Sequence, residues 1–335
     1  MVIVKDFEHQ VGFHCESTAI RNVLKHAKVN LSEEMIIGLG EGIGFIIWFM
    51  KVMDVPFIGG GIRQAEKTMN IAKNLNLNLI EFKSTSVKKA TEFIKSNIDN
   101  NQPLGAQADM YYLPYFRDEG YEMHFAGHFI TLMGYDEEKV YVVDTHRKEI
   151  FGVNWVYYNN AAFPPENVPM KNKRFMFYYK QEEEMPDLGE ILPDIAKKNA
   201  ETMLNPPIKN IGVKGIKEFA RQVKKWDVQL GKPQQALDEF HLMCELGGSG
   251  GGLFRKPYSR FLKEAYTITG LNQFEEAHKQ FEEIHPLWTE TAILSKETSE
   301  KNTKELKPYL VMISEKIEQL YEKEKNVFEL LYNGL

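Results

Sequence analysis

Apolar and polar residues follow two different patterns along the chain, and the change from one to the other divides it near residue 182. Four segments of helical period come first, at 15–28, 31–40, 62–77 and 86–101. Five segments rich in β-branched and aromatic residues follow, at 103–110, 128–134, 139–145, 149–153 and 174–180. After residue 182 the apolar positions recur at helical spacing alone. The pattern predicts an α+β domain over residues 1–182, with helices packed on an antiparallel sheet, and an all-α domain over residues 183–335.

The last helical segment carries a heptad of apolar residues from Leu306 to Leu331, which Glu324 alone interrupts. A heptad of this length either packs inside a bundle or pairs with the same helix of a second chain. The short amphipathic segments between residues 183 and 305 favour a bundle within one chain. A homo-oligomer held together by the C-terminal helices stays open as the alternative.

The composition excludes several classes of protein. The 335 residues are about twice the ~150 of a typical domain, and 43% are hydrophobic and 26% charged, as in folded soluble proteins. The 41 basic and 47 acidic residues give a net charge of −6 without a block of consecutive Lys and Arg, so we expect no nucleic-acid partner. No segment reaches the ~20 apolar residues that cross a bilayer, and the N-terminus lacks a signal-peptide pattern. We therefore expect a cytoplasmic protein without membrane association.

The chain has two cysteines, Cys15 and Cys244, which form no CxxC motif and no Cys/His cluster at metal spacing. Neither a disulfide framework, a metal site nor a tightly bound cofactor is predicted. Cys15 begins a predicted helix, where the free backbone amides and the helix dipole favour a thiolate. Glu16 is expected to point into solvent, because a carboxylate pointing inward would oppose that thiolate. Cys244 lies on an apolar helix face and is predicted to be a buried structural thiol.

A hairpin predicted over residues 128–145 brings a histidine and an aspartate together. With a three-residue loop, His128 lies directly opposite Asp144, and a loop of two or four residues displaces this pairing by one position. A carboxylate on one imidazole nitrogen leaves the other to accept a proton from a thiol. We therefore predict Cys15, His128 and Asp144 as catalytic residues, with the side chain of Gln10 and the amide of Cys15 as donors to an oxyanion. In the alternative, Cys15 is a small buried residue at the start of a helix, His128 is a polar residue at the end of a strand, and Asp144 begins a turn.

Four motifs stand out in the first domain, HCESTAIRN at 14–22, LSEEMIIGLGEGIGF at 31–45, ADMYYLPY at 108–115 and HFAGHFITLMGYD at 124–136. The second domain contains LGGSGGGLFRKPYSRFL at 246–262. In combination these motifs resemble the butirosin biosynthesis protein H family and the helical domain that often accompanies its N-terminal domain. The resemblance implies a papain-like cysteine-protease fold, in which the family's order of Cys, His and Asp falls on Cys15, His128 and Asp144. It also implies an amide-forming acyltransferase, which takes an aminoacyl group from the phosphopantetheine thioester of an acyl carrier protein and transfers it to an amine.

Two further groups of residues are candidates for substrate binding. Asp109, Tyr111 and Tyr112 precede the strand that holds the histidine and are predicted to line a pocket for the acceptor amine, unless they face the core. A GGSGGG sequence precedes a predicted helix, and Gly250 together with Arg255 is predicted to bind the phosphate of the phosphopantetheine arm. A plain connection between two helices is the equal alternative for this loop.

The leading hypothesis is a cysteine acyltransferase of secondary metabolism that forms an amide from an acyl carrier protein thioester and a small amine. The helical domain would cover the site and select the carrier or the acceptor. A first alternative keeps the same residues and lets water resolve the acyl-enzyme, which gives an amidase or a peptidase. A second alternative is a non-catalytic binding protein on a disused protease fold. The reactivity of Cys15 towards iodoacetamide separates the catalytic hypotheses from the binding protein.

Overall fold

A computed structural model describes residues 1–49, 54–61, 65–168, 170–171 and 173–335. Within these ranges the strands are β1 (Val2–Ile3), β2 (Ile43–Trp48), β3 (Phe57–Gly61), β4 (Asn78–Phe82), β5 (Leu104–Ala108), β6 (His128–Tyr135), β7 (Lys139–Val143), β8 (Phe151–Asn154) and β9 (Met176–Lys180). The α-helices are α1 (Cys15–His26), α2 (Glu33–Leu39), α3 (Glu66–Asn74), α4 (Val87–Asp99), α5 (Pro114–Arg117), α6 (Trp155–Ala162), α7 (Leu188–Leu204), α8 (Gly212–Val223), α9 (Trp226–Gln229), α10 (Pro233–His241), α11 (Arg255–Thr269), α12 (Asn272–Ser299) and α13 (Leu306–Gly334). None of these helices, over the ranges described, combines the length and the apolar character that crossing a membrane requires.

The chain forms two compact units. The first contains Met1–Ile36 and Gln64–Met185, and the second contains Ile37–Arg63 and Pro186–Leu335. The second unit therefore includes residues 37–63, which the sequence pattern placed in the first domain, and with them the hairpin of β2 and β3. Helices packed on an antiparallel sheet in the first unit and a helical C-terminal region in the second confirm the predicted fold class.

An antiparallel sheet of seven strands forms the core of the first unit, in the order β4-β9-β5-β6-β7-β8, with β1 also paired to β6. Helix α1 packs on this sheet against β5 and β6. Its buried apolar stripe consists of Ala19, Ile20, Val23 and Leu24. This packing fixes the helix that begins at Cys15 on the sheet whose strand β6 begins at His128.

The second unit is a helical bundle in which α13 contacts α7, α8 and α12. The heptad positions of α13 are fully buried within this one chain, and they are Leu306, Leu310, Ile313, Ile317, Leu320, Val327 and Leu331. The favoured interpretation of the heptad as part of a bundle is therefore confirmed, because the bundle fills the seam that pairing between chains would need. Glu324, which interrupts the heptad, is buried as well.

Candidate active site

The candidate nucleophile Cys15 is the first residue of α1 and is partly exposed. The residue before it, His14, caps the helix, since its Nδ1 accepts the backbone N–H of Ser17 at 3.2 Å. Burial, together with the positive charges of Lys67 and His128, holds the pKa of His14 well below its ordinary value. The ring is therefore neutral and Nδ1 keeps the lone pair that the cap needs.

The loop that leads into the cysteine is held by one buried carboxylate, that of Glu33. Its oxygens accept hydrogen bonds from two backbone amides and two hydroxyls, which are Phe13 N and His14 N at 2.9 Å, Ser17 Oγ at 2.7 Å and Thr18 Oγ1 at 3.1 Å. Burial raises the pKa of Glu33, and these hydrogen bonds oppose that shift. A Cβ at Gly12 would lie 2.2 Å from Glu33 Oε2, so the loop passes the carboxylate at a point where only glycine fits. Nothing in the sequence pattern distinguishes Glu33, because a glutamate in a first helical turn resembles an ordinary dipole-compensating acid.

His128 and Asp144 form a buried pair where β6 begins and β7 ends. Imidazole Nε2 lies 2.8 Å from both carboxylate oxygens, and the residues are 7% and 2% exposed. The carboxylate also accepts the hydroxyls of Tyr115 at 2.7 Å and Thr145 at 2.9 Å. Because Nε2 is used by the carboxylate, Nδ1 is the nitrogen left for the thiol of Cys15, which is among the groups that raise the pKa of His128. The three residues predicted as catalytic therefore lie together.

The charges around the pair favour a protonated imidazole. Burial alone lowers the pKa of His128, but the carboxylate of Asp144 and the hydrogen bond with Cys15 raise it to about 10. Burial raises the pKa of Asp144, and the charge and hydrogen bond of His128 more than offset this, so the pKa lies below its ordinary value. At neutral pH the imidazole that lies between the Asp144 carboxylate and the Cys15 sulfur is therefore protonated.

The predicted register of the hairpin is wrong by two residues. The β6–β7 ladder pairs Thr131 with Val143, and its continuation places His128 two positions from the residue opposite Asp144. The last paired positions beside the loop are 135 and 140 rather than 134 and 138, which displaces the pairing there by three residues, and a bulge between residues 132 and 134 takes one residue back. A shift of two residues leaves a side chain on the same face of a sheet, so the imidazole still reaches the carboxylate along a diagonal.

Gln10 lies in the loop that leads into α1. Its backbone N–H donates to Asn22 Oδ1 at 2.8 Å, and its side-chain Oε1 accepts from Arg21 at 3.3 Å. Because a guanidinium only donates, this contact assigns the amide oxygen to Arg21 and leaves the NH₂ group as the part that could donate to an oxyanion. The same loop is joined to the end of β7, where the N–H of Gly12 donates to the carbonyl of Thr145 at 2.8 Å. The role of Gln10 as an oxyanion donor stays a prediction.

Two family models match the chain. Residues 14–145 match the one described as Butirosin biosynthesis protein H, N-terminal, and residues 161–331 match Domain of unknown function (DUF4872). The chain belongs to the butirosin biosynthesis protein H family. The N-terminal match includes Cys15, His128 and Asp144, and the resemblance inferred from the motifs is confirmed. The comparison with curated proteins gives no match.

In this member of the butirosin biosynthesis protein H family, the residue after the cysteine is buried. Glu16 is 2% exposed, which corrects the expectation that it points into solvent. Its carboxylate lies 3.3 Å from Lys67 Nζ and accepts the hydroxyl of Thr68 at 3.2 Å. The lysine, which is equally buried, compensates a charge that would otherwise oppose negative charge on the neighbouring sulfur. Sequence reasoning missed Lys67, because only its place among the buried residues of α3 distinguishes it from a surface lysine.

Asp109, Tyr111 and Tyr112 form a cluster with His124. Asp109 is fully buried, and its carboxylate accepts the N–H groups of Phe125 at 2.9 Å and Tyr111 at 3.2 Å and contacts His124 Nδ1 at 2.7 Å. It therefore holds this loop together rather than offering an open carboxylate to an amine. The two tyrosine rings are partly exposed and meet edge to face, with centroids 5.1 Å apart.

Arg255 is fully buried in the second unit, and its hydrogen bonds contradict a role in phosphate binding. Nε and one terminal nitrogen each donate to an oxygen of Glu324 at 2.8 Å. The other terminal nitrogen donates to the carbonyls of Gly44 at 2.8 Å and Leu253 at 2.7 Å. A guanidinium so engaged cannot turn to an incoming anion without breaking an ion pair.

The glycine-rich loop around Gly250 is a closed connection between helices. The N–H of Gly252 donates to the carboxylate of Glu245 at 3.1 Å, and the hydroxyl of Ser249 donates to the carbonyl of Cys244 at 2.5 Å. A carboxylate inside the loop repels a phosphate and so favours a plain connection between helices, while phosphate binding by Gly250 stays a prediction. Cys244 itself is fully buried, as the sequence predicted.

Proposed function

We propose that this chain is a cysteine-dependent acyltransferase, which forms an amide from a carrier-protein thioester and an amine in the biosynthesis of a secondary metabolite. The observation that carries the proposal is the buried, hydrogen-bonded pair of His128 and Asp144, whose imidazole also interacts with the thiol of Cys15 at the start of α1. The family is named for a protein of butirosin biosynthesis, which supports a biosynthetic reaction for this chain.

In the first half-reaction the sulfur of Cys15 attacks the carbonyl carbon of the thioester. The sulfur reacts as the thiolate of an ion pair whose proton is held on Nδ1 of His128, and Asp144 stabilises this imidazolium through Nε2. As the new C–S bond forms and the old one breaks, the imidazolium gives its proton to the leaving sulfur of the phosphopantetheine arm. The NH₂ group of Gln10 and the backbone N–H of Cys15 are proposed to stabilise the oxyanion.

In the second half-reaction an amine attacks the acyl-enzyme. The C–N bond forms while the C–S bond to Cys15 breaks, and the neutral imidazole of His128 takes a proton from the amine nitrogen. Water in place of the amine would make the same residues a hydrolase. The relative rates at which amine and water consume the acyl-enzyme therefore distinguish the two reactions.

The proposed partners are an acyl carrier protein, as the donor, and a small amine, as the acceptor. The helical second unit is proposed to select the carrier or the acceptor. The buried Arg255 has no part in this role, since its donors are used within the unit. No tightly bound cofactor enters the proposal, because nucleophile, base and orienting carboxylate are all side chains.

Intact-mass spectrometry after incubation with an acyl thioester of phosphopantetheine tests the proposal. The wild type should gain the mass of one acyl group and Cys15→Ala should gain none. Cys244→Ala, which removes the other thiol, is the matched control and should form the same adduct as the wild type. Equal adducts on Cys15→Ala and wild type, or none on the wild type, would rule the proposal out. A primary amine should then discharge the adduct as an amide, whereas release of the free acid alone would make the chain a hydrolase.

A further inference from the structure

A second imidazole–carboxylate pair lies close in sequence to the catalytic one. His124 Nδ1 is 2.7 Å from Asp109 Oδ2, and the carboxylate is fully buried whereas 30% of the imidazole is exposed. The other oxygen of Asp109 accepts the N–H groups of Phe125 and Tyr111. An ionised carboxylate only accepts, so Nδ1 carries the proton and Nε2 of a neutral ring is left as an acceptor. The pair thus has the form of a base that a carboxylate orients.

The surroundings of His124 suit a cationic partner. Its ring packs against that of Tyr111 at an interplanar angle of 31°, with centroids 4.2 Å apart, and its centroid lies 5.9 Å from that of Tyr112. The hydroxyl of Tyr112 donates to both oxygens of Glu166 at 2.7 Å, and this hydrogen bond holds the pKa of Glu166 below its usual range. The guanidinium of Arg117 lies 5.7 Å from the centroid of Tyr111, so this ring already accepts one cation. Aromatic faces beside an exposed carboxylate are the groups that attract an ammonium ion.

The second pair lies at the same strand ends as the catalytic pair. Ala108, the last residue of β5, pairs in register with His128, and Asp109 follows it directly. His124 precedes His128 by four residues. Both imidazoles therefore belong to one end of the sheet in the first unit.

We propose that His124, oriented by Asp109, is the base that deprotonates the acceptor, and that the acceptor is a primary alkylammonium ion held by the neighbouring tyrosines and glutamate. This inference rests on the proposed acyltransferase function. The ammonium gives one proton to Nε2 of His124, and the amine then attacks the acyl carbon. The C–N bond forms as the C–S bond breaks, and the sulfur of Cys15 keeps the electron pair. The second proton passes from nitrogen to the neutral ring of His128, so two bases account for the two protons that amide formation releases.

Discharge of a preformed acyl-enzyme tests this inference. The protein is acetylated with acetyl-phosphopantetheine, freed of excess thioester and mixed at neutral pH with 1,4-diaminobutane, a diammonium ion, or with hydroxylamine, which is largely neutral. His124→Gln should acylate as the wild type does, but discharge by diaminobutane should fall by about 100-fold. Discharge by hydroxylamine, which needs no prior deprotonation, should stay within about threefold of wild type. His26→Gln, which removes an imidazole bonded to the carbonyl of Asn101 at the other end of α1, is the matched control and should discharge normally with both nucleophiles.

The possible outcomes distinguish a failure of this inference from a failure of the proposed acyltransferase function. If His124→Gln and the wild type discharge equally with diaminobutane, the inference is overturned and the acyltransferase proposal stands. Equal slowing with both nucleophiles overturns the inference too, because it indicates a structural defect. If the wild type forms no acyl-enzyme, the proposed function fails, and the inference fails with it.

A second variant tests the proposed binding of the ammonium ion without altering His124. Glu166→Gln keeps an oxygen for the hydroxyl of Tyr112 but removes the negative charge. It should raise the diaminobutane concentration needed for half-maximal discharge by about tenfold and leave hydroxylamine unaffected. An unchanged concentration would overturn the assignment of this cluster as the ammonium site.

Discussion

A buried ionic cluster at the candidate site of the first unit and one in the second unit are alike in burial and charge, but they differ in the hydrogen-bonding groups that remain accessible. In the first unit, His128 and Asp144 form an ion pair whose imidazole has the partly exposed thiol as its second neighbour. In the second unit, Arg255 and Glu324 are both fully buried, and the carboxylate also accepts the indole N–H of Trp288 at 2.5 Å. The first cluster ends at an accessible group, whereas the second is closed on all sides by its own partners.

The difference lies in the hydrogen-bonding capacity that remains. Arg255 donates through two nitrogens to Glu324 and through the third to backbone carbonyls. A guanidinium keeps its protons, so this cluster can stabilise the fold but cannot move a proton. The imidazole of His128 stands between a carboxylate and a sulfur and can hold or release a proton. The reactive site therefore differs from the structural cluster in having an accessible thiol and an imidazole that can gain or lose a proton, and not in its burial or charge.

The largest effect that would test this comparison is expected from Asp144→Asn. An asparagine keeps the shape of the side chain but cannot stabilise the imidazolium, and loss of the carboxylate from such a triad costs about 10⁴ in rate. We expect acylation of Cys15 to slow by on the order of 10⁴-fold, measured by intact mass over time. Tyr115→Phe, which removes one hydrogen bond to the same carboxylate, should slow it only about tenfold. If the two variants acylate at the same rate, the carboxylate does no more than position the ring.

Breaking the closed cluster should cost stability instead. Glu324→Leu leaves the guanidinium of Arg255 buried without its partner, which should lower the free energy of unfolding by about 3–5 kcal/mol. The double variant Arg255→Met with Glu324→Leu removes both charges and should recover most of that loss. Urea denaturation of the wild type, the single variant and the double variant measures both steps. A double variant no more stable than the single one would mean that the bonds to the Gly44 and Leu253 carbonyls, and not the ion pair, hold this cluster.

Local patterns were sufficient to predict most elements that frame the open cluster. The helix that begins at Cys15 follows from an apolar stripe, and the helices capped by Ser32 and Ser86 follow from hydroxyls at their N-termini. Such signals depend on residues a few positions apart, which the sequence displays directly. The pairing of His128 with Asp144 was predictable for the same reason, since side chains alternate along a strand and an error of two residues preserves the face.

Contacts between distant segments could not be predicted in this way. In the sequence Glu324 stands out only as a charged residue at an apolar heptad position. Its ion pair with Arg255 could not be predicted, because the two residues are 69 positions apart. The same arginine holds the carbonyl of Gly44 across 211 residues, which is one reason why the β2–β3 hairpin belongs to the second unit. The burial of Glu16 depends on Lys67 in another helix, and no local pattern pairs the two. Sequence periodicity therefore identified the open cluster, whose residues share strand and helix ends, and missed the closed one.

The smallest expected effect, taken per pH unit, distinguishes the two clusters by the pH dependence of stability. The pKa of His128 is about 10 in the folded protein, above its ordinary value of 6.5, so its pairing contributes fully below pH 6.5 and is lost as the pH rises towards 10. The free energy of unfolding should therefore fall across this window by on the order of 1 kcal/mol per pH unit, and less steeply in His128→Gln. Urea denaturation at several pH values within the window measures both slopes. Parallel slopes would mean that the imidazole gains no proton on folding. The reactive cluster would then differ from the structural one only in the accessibility of its thiol.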